Sequence, residues 1–159
     1  VDGTFVEHPT YNLGIQYPMK NPPAFESGGA GLASTIEDYS RFASMLLNHG
    51  ELDGVRILSP KTVEFFTKGE LLPWQQEDMR TWEMLAGYTY GNLMRVMKNP
   101  GVAFVNGSIG EYGWDGWLGT YFSNFPNEKV CFLFMMQKKD AGTTCLTRKL
   151  RNIVVSELL

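Results

Sequence analysis

The run GEYGWDGWLGTYF at residues 110–122 carries the residue types that best suit a binding site. Its glycines allow a ligand or a neighbouring backbone to approach closely. Its aromatic side chains, with Trp114 and Trp117 at the centre, offer apolar surface. Asp115 places a carboxylate between the two tryptophans. The run therefore predicts one wall of a ligand pocket, leading into a β-strand.

A second glycine-rich stretch, GGAG at residues 28–31, runs into a helical pattern. A phosphate site at the start of that helix would need a preceding strand and a following Lys-Ser or Lys-Thr pair, and the sequence has neither. The stretch therefore indicates a loop that packs tightly against a sheet.

The sequence contains no recognisable nucleophile for acyl transfer. No serine is followed by a lysine three positions later, and there is no G-x-S-x-G elbow. The two histidines, His8 and His49, give little material for a Cys-His dyad or a metal site. The two cysteines, Cys131 and Cys145, indicate free thiols better than a disulfide. We expect no metal and no cofactor.

Read in this order, residues 25–42 and 110–122 resemble the C-terminal half of the serine β-lactamase and penicillin-binding-protein-like hydrolases, in particular the esterase-like branch related to class C β-lactamases. The resemblance implies an α+β fold: a partial β-lactamase/transpeptidase-like fold with an antiparallel sheet of at least three strands packed by helices. It implies that the parent protein hydrolyses an ester, amide or β-lactam acyl bond through a seryl intermediate. Residues 1–159 would then be an inactive fragment without the S-x-x-K nucleophile.

The third motif of that superfamily is K-T-G or H-x-G in many members and W-G-G in the esterase-like branch, and Trp114-Asp115-Gly116 resembles it. The resemblance implies that Trp114, Asp115, Gly116 and Trp117 contact substrate, with no catalytic residue in this chain. Asp115 departs from the pattern, because relatives carry Gly, Thr or Ser there. A carboxylate at this place would disfavour substrates that carry their own carboxylate.

Tyr90-Gly91-Asn92 fits the Y-x-N pattern of the superfamily's second motif. In the family that motif precedes the glycine-rich segment at 28–31, whereas Tyr90 follows it. We therefore interpret Tyr90 as a strand residue that packs on the sheet.

Hydrophobic periodicity predicts the elements that would hold the pocket wall. Ser59-Pro60 is typical of an N-cap followed by the first helical residue. The predicted helices span about 35–48, 60–68 and 143–159, a loop spans 69–86, and the predicted strands span 88–97, 102–106, 110–125 and 130–136. The last strand is apolar on both faces, which predicts helices on both sides of it.

The resemblance also assigns residues 1–87 to part of a helical subdomain and residues 88–159 to the final strands and helix of an α/β subdomain. In such a fold the strand at 130–136 lies beside N-terminal strands that this chain lacks. Its free edge would then pair with the N-terminal half of the same fold or with a second copy of the chain.

Composition limits the remaining possibilities. With 159 residues, 43% of them hydrophobic and 19% charged, the chain suits one globular domain. A net charge of -3 without a basic cluster argues against a nucleic-acid partner. No apolar run approaches the roughly 20 residues of a membrane span. The compartment stays open, with periplasmic, extracellular and cytoplasmic locations all compatible.

A second class of function also stays open. The chain would fit a non-catalytic peptide- or ligand-binding module, a pseudoenzyme that kept the groove and lost the chemistry. Asp115 is the residue that favours this alternative.

Overall fold

The computed structural model describes residues 3–8, 28–29, 32–141 and 145–158. The chain divides into two compact units, Val1–Thr35 and Ile36–Leu159. In the first unit Gly28 and Gly29 form a turn; Ala30 and Gly31, which complete the glycine-rich stretch, lie outside the described residues. All helices and strands of the described residues belong to the second unit.

Helix α1, Ile36–Leu47, confirms the helix predicted at about 35–48. Its apolar face buries Ala43, Met45 and Leu46. The helix ends where His49 and Gly50 adopt positive φ angles of 56° and 94°, and the Gly50 amide donates to the Met45 carbonyl at 2.8 Å. Strands β1, Glu51–Leu52, and β2, Val55–Arg56, follow as a small hairpin.

Helix α2, Pro60–Thr67, begins as predicted: the Ser59 hydroxyl accepts the Thr62 amide at 3.1 Å. The loop predicted at 69–86 is wrong in part. It contains helix α3, Pro73–Met79, and a 3-10 turn at Glu83–Leu85. Helix α3 buries none of its residues, so its sequence has no apolar period that could reveal it.

Five strands form an antiparallel sheet in chain order: β3 at Tyr88–Tyr90, β4 at Arg95–Met97, β5 at Tyr112–Asp115, β6 at Tyr121–Phe125 and β7 at Val130–Phe134. The predicted fold class, an antiparallel sheet packed by helices, is confirmed. Each of the two longest predicted strands is in fact a hairpin of two strands.

The strand predicted at 88–97 turns back where the Gly91 amide donates to the Met94 carbonyl at 2.7 Å. The strand predicted at 102–106 is absent. A 3-10 turn at Pro100–Val102 overlaps its first residue, and the Asn99 side chain caps that turn by accepting the Gly101 amide at 3.0 Å. Val102 and Phe104, two of the apolar residues in this segment, are exposed. Their alternating spacing therefore does not mark the buried face of a strand.

The main core lies between α1 and one face of the sheet. Ala43 and Leu46 pack there with Val96, Tyr112 and Phe122. Helix α4, Cys145–Ser156, contacts β7 as α1 does. It places Arg151 on the other face, 5.4 Å from the Phe125 ring centre. Helices therefore contact both faces of the sheet, as the apolar strand pattern predicts.

Candidate functional site

The Trp114-Asp115-Gly116 motif lies where β5 enters a tight turn to β6. Trp114 is paired with Phe122 across the two strands, and Asp115 is paired with Tyr121. The turn at residues 116–119 closes with the Gly119 amide donating to the Gly116 carbonyl at 2.9 Å. Gly119 has a φ of +89°, which favours glycine. The motif is therefore held by β6 and by its own turn.

Trp114 and Tyr90 form what we call the aromatic wall. Their ring centroids are 5.2 Å apart, and the planes meet at 78° in an edge-to-face contact. Trp114 keeps 38% of its surface exposed, so the wall faces outward. Tyr90 lies in β3, as expected of a strand residue, but no local pattern indicates that it lies beside Trp114.

Trp117 contacts the segment that follows β7. Its indole nitrogen donates to the Asp140 carboxylate, and the Lys139 ammonium lies 5.7 Å from its ring centre. Its carbonyl accepts the Ala141 amide at 3.2 Å. Trp117 is 38% exposed. The turn is therefore joined to residues 139–141.

The glycine of the motif lies close to a side chain across the turn. A Cβ on Gly116 would lie 2.5 Å from the Thr120 hydroxyl oxygen. Further back along β5, a Cβ on Gly113 would lie 2.0 Å from the Phe122 carbonyl oxygen. Close packing against the backbone of β6 accounts for Gly113, whereas the Thr120 hydroxyl could rotate away from a side chain at Gly116.

Asp115 faces away from Trp114, because neighbouring strand residues point to opposite sides of a sheet. Its carboxylate accepts a hydrogen bond from Arg95 at 3.0 Å, and the two side chains are 16% and 3% exposed. Burial alone would lower the pKa of the Arg95 guanidinium, but nearby tyrosines and carboxylates outweigh it, so the pKa lies above its ordinary value. The negative charge of Asp115 is therefore paired, which the motif alone did not show.

A second buried ion pair lies on the same face. Arg151 of α4 donates to Glu111, just before β5, and the side chains are 1% and 0% exposed. Glu111 also accepts the Ser123 hydroxyl at 2.6 Å and the Tyr88 hydroxyl at 3.3 Å. Burial raises the pKa of Tyr88, the carboxylate of Glu111 adds to the effect, and the phenol stays neutral.

Neither ion pair follows from the sequence pattern. Glu111, Gly113 and Asp115 share one face by the two-residue period of a strand, which was the available signal. It could not show which cations would meet the carboxylates, since Arg95 and Arg151 come from elsewhere in the chain.

A cavity of about 530 Å³ lies between α1, α2 and β4. Its lining includes Leu46, Val63 and Val96, with Lys68 and Lys98 also contributing. None of the four residues expected to contact substrate, Trp114, Asp115, Gly116 and Trp117, lines it. The cavity and the aromatic wall are separate features.

Two further observations concern only the described residues. They contain no cluster of three or more His, Cys, Asp or Glu side chains that could hold a metal ion. Over the same part of the chain, no helix has the length and apolar character needed to span a membrane.

Comparison with known proteins decides the family. Residues 5–154 match the Beta-lactamase family. The chain belongs to the Beta-lactamase family. The resemblance drawn from residues 25–42 and 110–122 is thereby confirmed.

Two curated relatives come from Mycobacterium tuberculosis: "Uncharacterized protein MT1414" from strain CDC 1551 and "Protein Rv1367c" from strain H37Rv. Each is 33% identical over 124 residues, which is 76% of this chain and 31% of the relative. A similar solved structure is that of simvastatin synthase LovD from Aspergillus terreus, in its LovD6 mutant form, with a TM-score of 0.64 and 19% identity. The match covers 82% of this chain and 35% of LovD, and at this identity it shows the fold. The chain thus spans about a third of the length of these proteins.

Proposed function

We propose that this chain is the C-terminal portion of a β-lactamase-like serine hydrolase that acts on an ester, amide or β-lactam acyl bond. In this proposal the chain supplies the pocket wall and substrate contacts. The observation that supports it is that Trp114, in a chain of the Beta-lactamase family, is 38% exposed and makes an edge-to-face contact with Tyr90.

The proposed reaction needs a serine that lies outside residues 1–159. Its hydroxyl oxygen would attack the acyl carbon while a neighbouring base takes the proton, and the leaving group would depart with a proton. Water would then hydrolyse the seryl ester and regenerate the enzyme. The aromatic wall would hold the acyl group by apolar contact, and Arg95 pairs with the charge of Asp115, the residue next to Trp114.

Covalent labelling tests the proposal. A fluorophosphonate probe should label the natural polypeptide that contains this chain at one serine per molecule, and it should leave residues 1–159 expressed alone unlabelled. Mass spectrometry of the peptides locates the label. Stoichiometric labelling of a serine within residues 1–159 alone would refute the proposed division of roles.

A wall variant tests the substrate contact. Trp114→Ala in the natural polypeptide should lower kcat/KM for an acyl ester by about 10- to 100-fold, since burying a large apolar side chain is worth roughly 1.5–3 kcal/mol. Trp74→Ala is the matched control, because Trp74 is 65% exposed on α3. Equal effects of the two variants would argue against a wall at Trp114.

The alternative, a non-catalytic binding module, was favoured by Asp115. Because Arg95 pairs with that carboxylate, Asp115 no longer distinguishes the two functions. A natural polypeptide that binds an acyl ester but never reacts with the fluorophosphonate would support the module.

We also propose that the free edge of β7 pairs with a strand from the N-terminal half of the same fold. In the described sheet β7 is the last strand, paired on one side with β6. An apolar strand with unpaired backbone groups readily accepts another strand. A second copy of the chain is the other candidate partner when that half is absent.

A further inference from the structure

We propose that Arg95 is a positioning residue for the aromatic wall. By binding Asp115 and the backbone beside it, Arg95 fixes the end of β5 and therefore the place of the Trp114 ring. The catalytic consequence rests on the proposed function, but the structural claim does not.

The strand register shows what Arg95 adds to the support that β6 gives the end of β5. The pairing of β4 with β5 comprises two residue pairs, Arg95 with Gly113 and Val96 with Tyr112. Strand β5 continues to Asp115, and on its other side the pairing with β6 extends to that residue. Beyond Gly113 the Arg95 side chain connects β4 to β5 by reaching Asp115 at 3.0 Å.

The Arg95 guanidinium binds both strands at the pair formed by Trp114 and Phe122. One nitrogen donates to Asp115, the residue that follows Trp114. The other donates at 3.4 Å to the carbonyl of Phe122, the residue paired with Trp114 across the strands. Successive residues of a strand are rigidly related through the pleat, so a shift of Asp115 would move Trp114 as well.

The surroundings of Arg95 hold its side chain in one orientation. The guanidinium carbon lies 4.6 Å from the Tyr121 ring centre and 5.6 Å from that of Tyr88. Gly113, directly opposite Arg95, has no side chain to obstruct the path across the sheet. Two donors in a planar fork fit this site, whereas a lysine would offer a single ammonium.

The test uses the natural polypeptide labelled with 5-fluorotryptophan and observed by ¹⁹F NMR. The Trp114 resonance is identified by its loss in Trp114→Phe. We expect Asp115→Asn and Arg95→Lys each to shift or broaden that resonance. Arg95→Lys keeps the buried positive charge, so it carries the test if Asp115→Asn does not fold.

The matched control is Glu111→Gln, an equivalent carboxylate-to-amide change in the other buried pair of the same face. We expect it to lower stability and leave the Trp114 resonance in place. Ser123→Ala, which removes one hydrogen bond to Glu111, replaces it if the protein unfolds. An unmoved resonance in the Arg95 and Asp115 variants, or an equal change in the control, overturns the proposal.

Kinetics of acyl-ester hydrolysis give a second measurement. Misplacing a binding group by about 1 Å can lower a rate on the order of 100-fold, so we expect a loss of that size in kcat/KM for Asp115→Asn and the parental value for Glu111→Gln. Unchanged kinetics in an active Asp115→Asn enzyme would overturn the positioning role. If the natural polypeptide hydrolyses no ester, the proposed function fails, and the NMR result still decides the role of Arg95.

Discussion

Arg151 and Glu111 form a buried ion pair that joins the last helix to the start of β5, across 40 positions of the chain. Arg151 also donates to the Asn106 carbonyl. Together these contacts connect α4, the segment before β5 and, through Ser123, strand β6. The pair therefore holds one face of the sheet to the helix that covers it.

Breaking this pair should be costly, because the remaining charge stays buried without its partner. We expect Glu111→Gln to lower the free energy of unfolding by about 3–5 kcal/mol, measured by urea denaturation of the natural polypeptide. The double variant Glu111→Gln/Arg151→Met removes both charges and should recover part of that loss. A double variant less stable than either single variant would contradict this account.

The turn at Gly119 provides a second test, with Gly54 as a matched control. Both glycines have positive φ, at +89° and +78°. A Cβ on Gly119 would lie 2.6 Å from Met136 Cγ, whereas a Cβ on Gly54 would have no atom within 4 Å. Each alanine variant should lower the free energy of unfolding by about 1 kcal/mol, because alanine disfavours a positive φ.

Gly119→Ala should lower the free energy of unfolding more than Gly54→Ala does, because its new methyl group would press against Met136. Met136→Ala should reduce that difference. Thermal denaturation of the two single variants and the Gly119→Ala/Met136→Ala double variant measures it. Equal melting temperatures for the two glycine variants would show that Met136 moves aside freely.

The two cysteines should differ in reactivity. Burial raises the pKa of the Cys131 thiol to about 11, whereas Cys145 is exposed. At about pH 8, near the ordinary thiol pKa of 8.5, iodoacetamide should therefore modify Cys145 first. Mass spectrometry of the two peptides gives the rates. Faster labelling of Cys131 in the folded protein would contradict this prediction.

The same shift predicts a loss of stability in alkali. As the pH rises above the ordinary thiol pKa, the unfolded chain loses the Cys131 proton that the folded chain keeps. The contribution of the neutral thiol is therefore complete below that pH and declines as the pH rises to about 11. Cys131→Ala should reduce this dependence, measured by urea denaturation across the range.

Strand β7 predicts association of the isolated chain. Residues 1–159 expressed alone should form a dimer or larger assembly at micromolar concentration, because unpaired backbone groups cost on the order of 1 kcal/mol or more each when buried. Light scattering measures this. Co-expression with the N-terminal half that the proposed function requires should replace self-association with a one-to-one complex. A folded, strictly monomeric chain free of any partner peptide would contradict the proposed edge.

Local patterns in the sequence predicted the elements that bury an apolar face. Helix α1 and the Ser59 cap of α2 are examples, since both follow from residues within one or two turns. Helix α3 was not predicted because it buries none of its residues. The hairpin at Gly91 was not predicted, and its glycine packs against a distant segment: a Cβ there would lie 2.8 Å from the Phe66 carbonyl oxygen.

The candidate site shows the same limit. The motif directed attention to Trp114 and Asp115 from their residue types and order. Their different surroundings depend on Tyr90 and Arg95, which lie about 20 positions upstream. Strand alternation could place the two motif residues on opposite faces, but only tertiary structure shows what each one meets.

The consecutive order of the five strands has a consequence for folding kinetics. Each strand pairs with its neighbour in sequence, so the sheet can form through short loop closures. Helix α1 is different, because its Ala43 carbonyl accepts a hydrogen bond from Asn124, 81 positions away. Closing that long loop costs more entropy, so β5 and β6 should acquire amide protection before α1 in pulsed hydrogen exchange. The slow step of folding would then be the docking of α1 onto the sheet, although α1 precedes every strand of that sheet in the sequence.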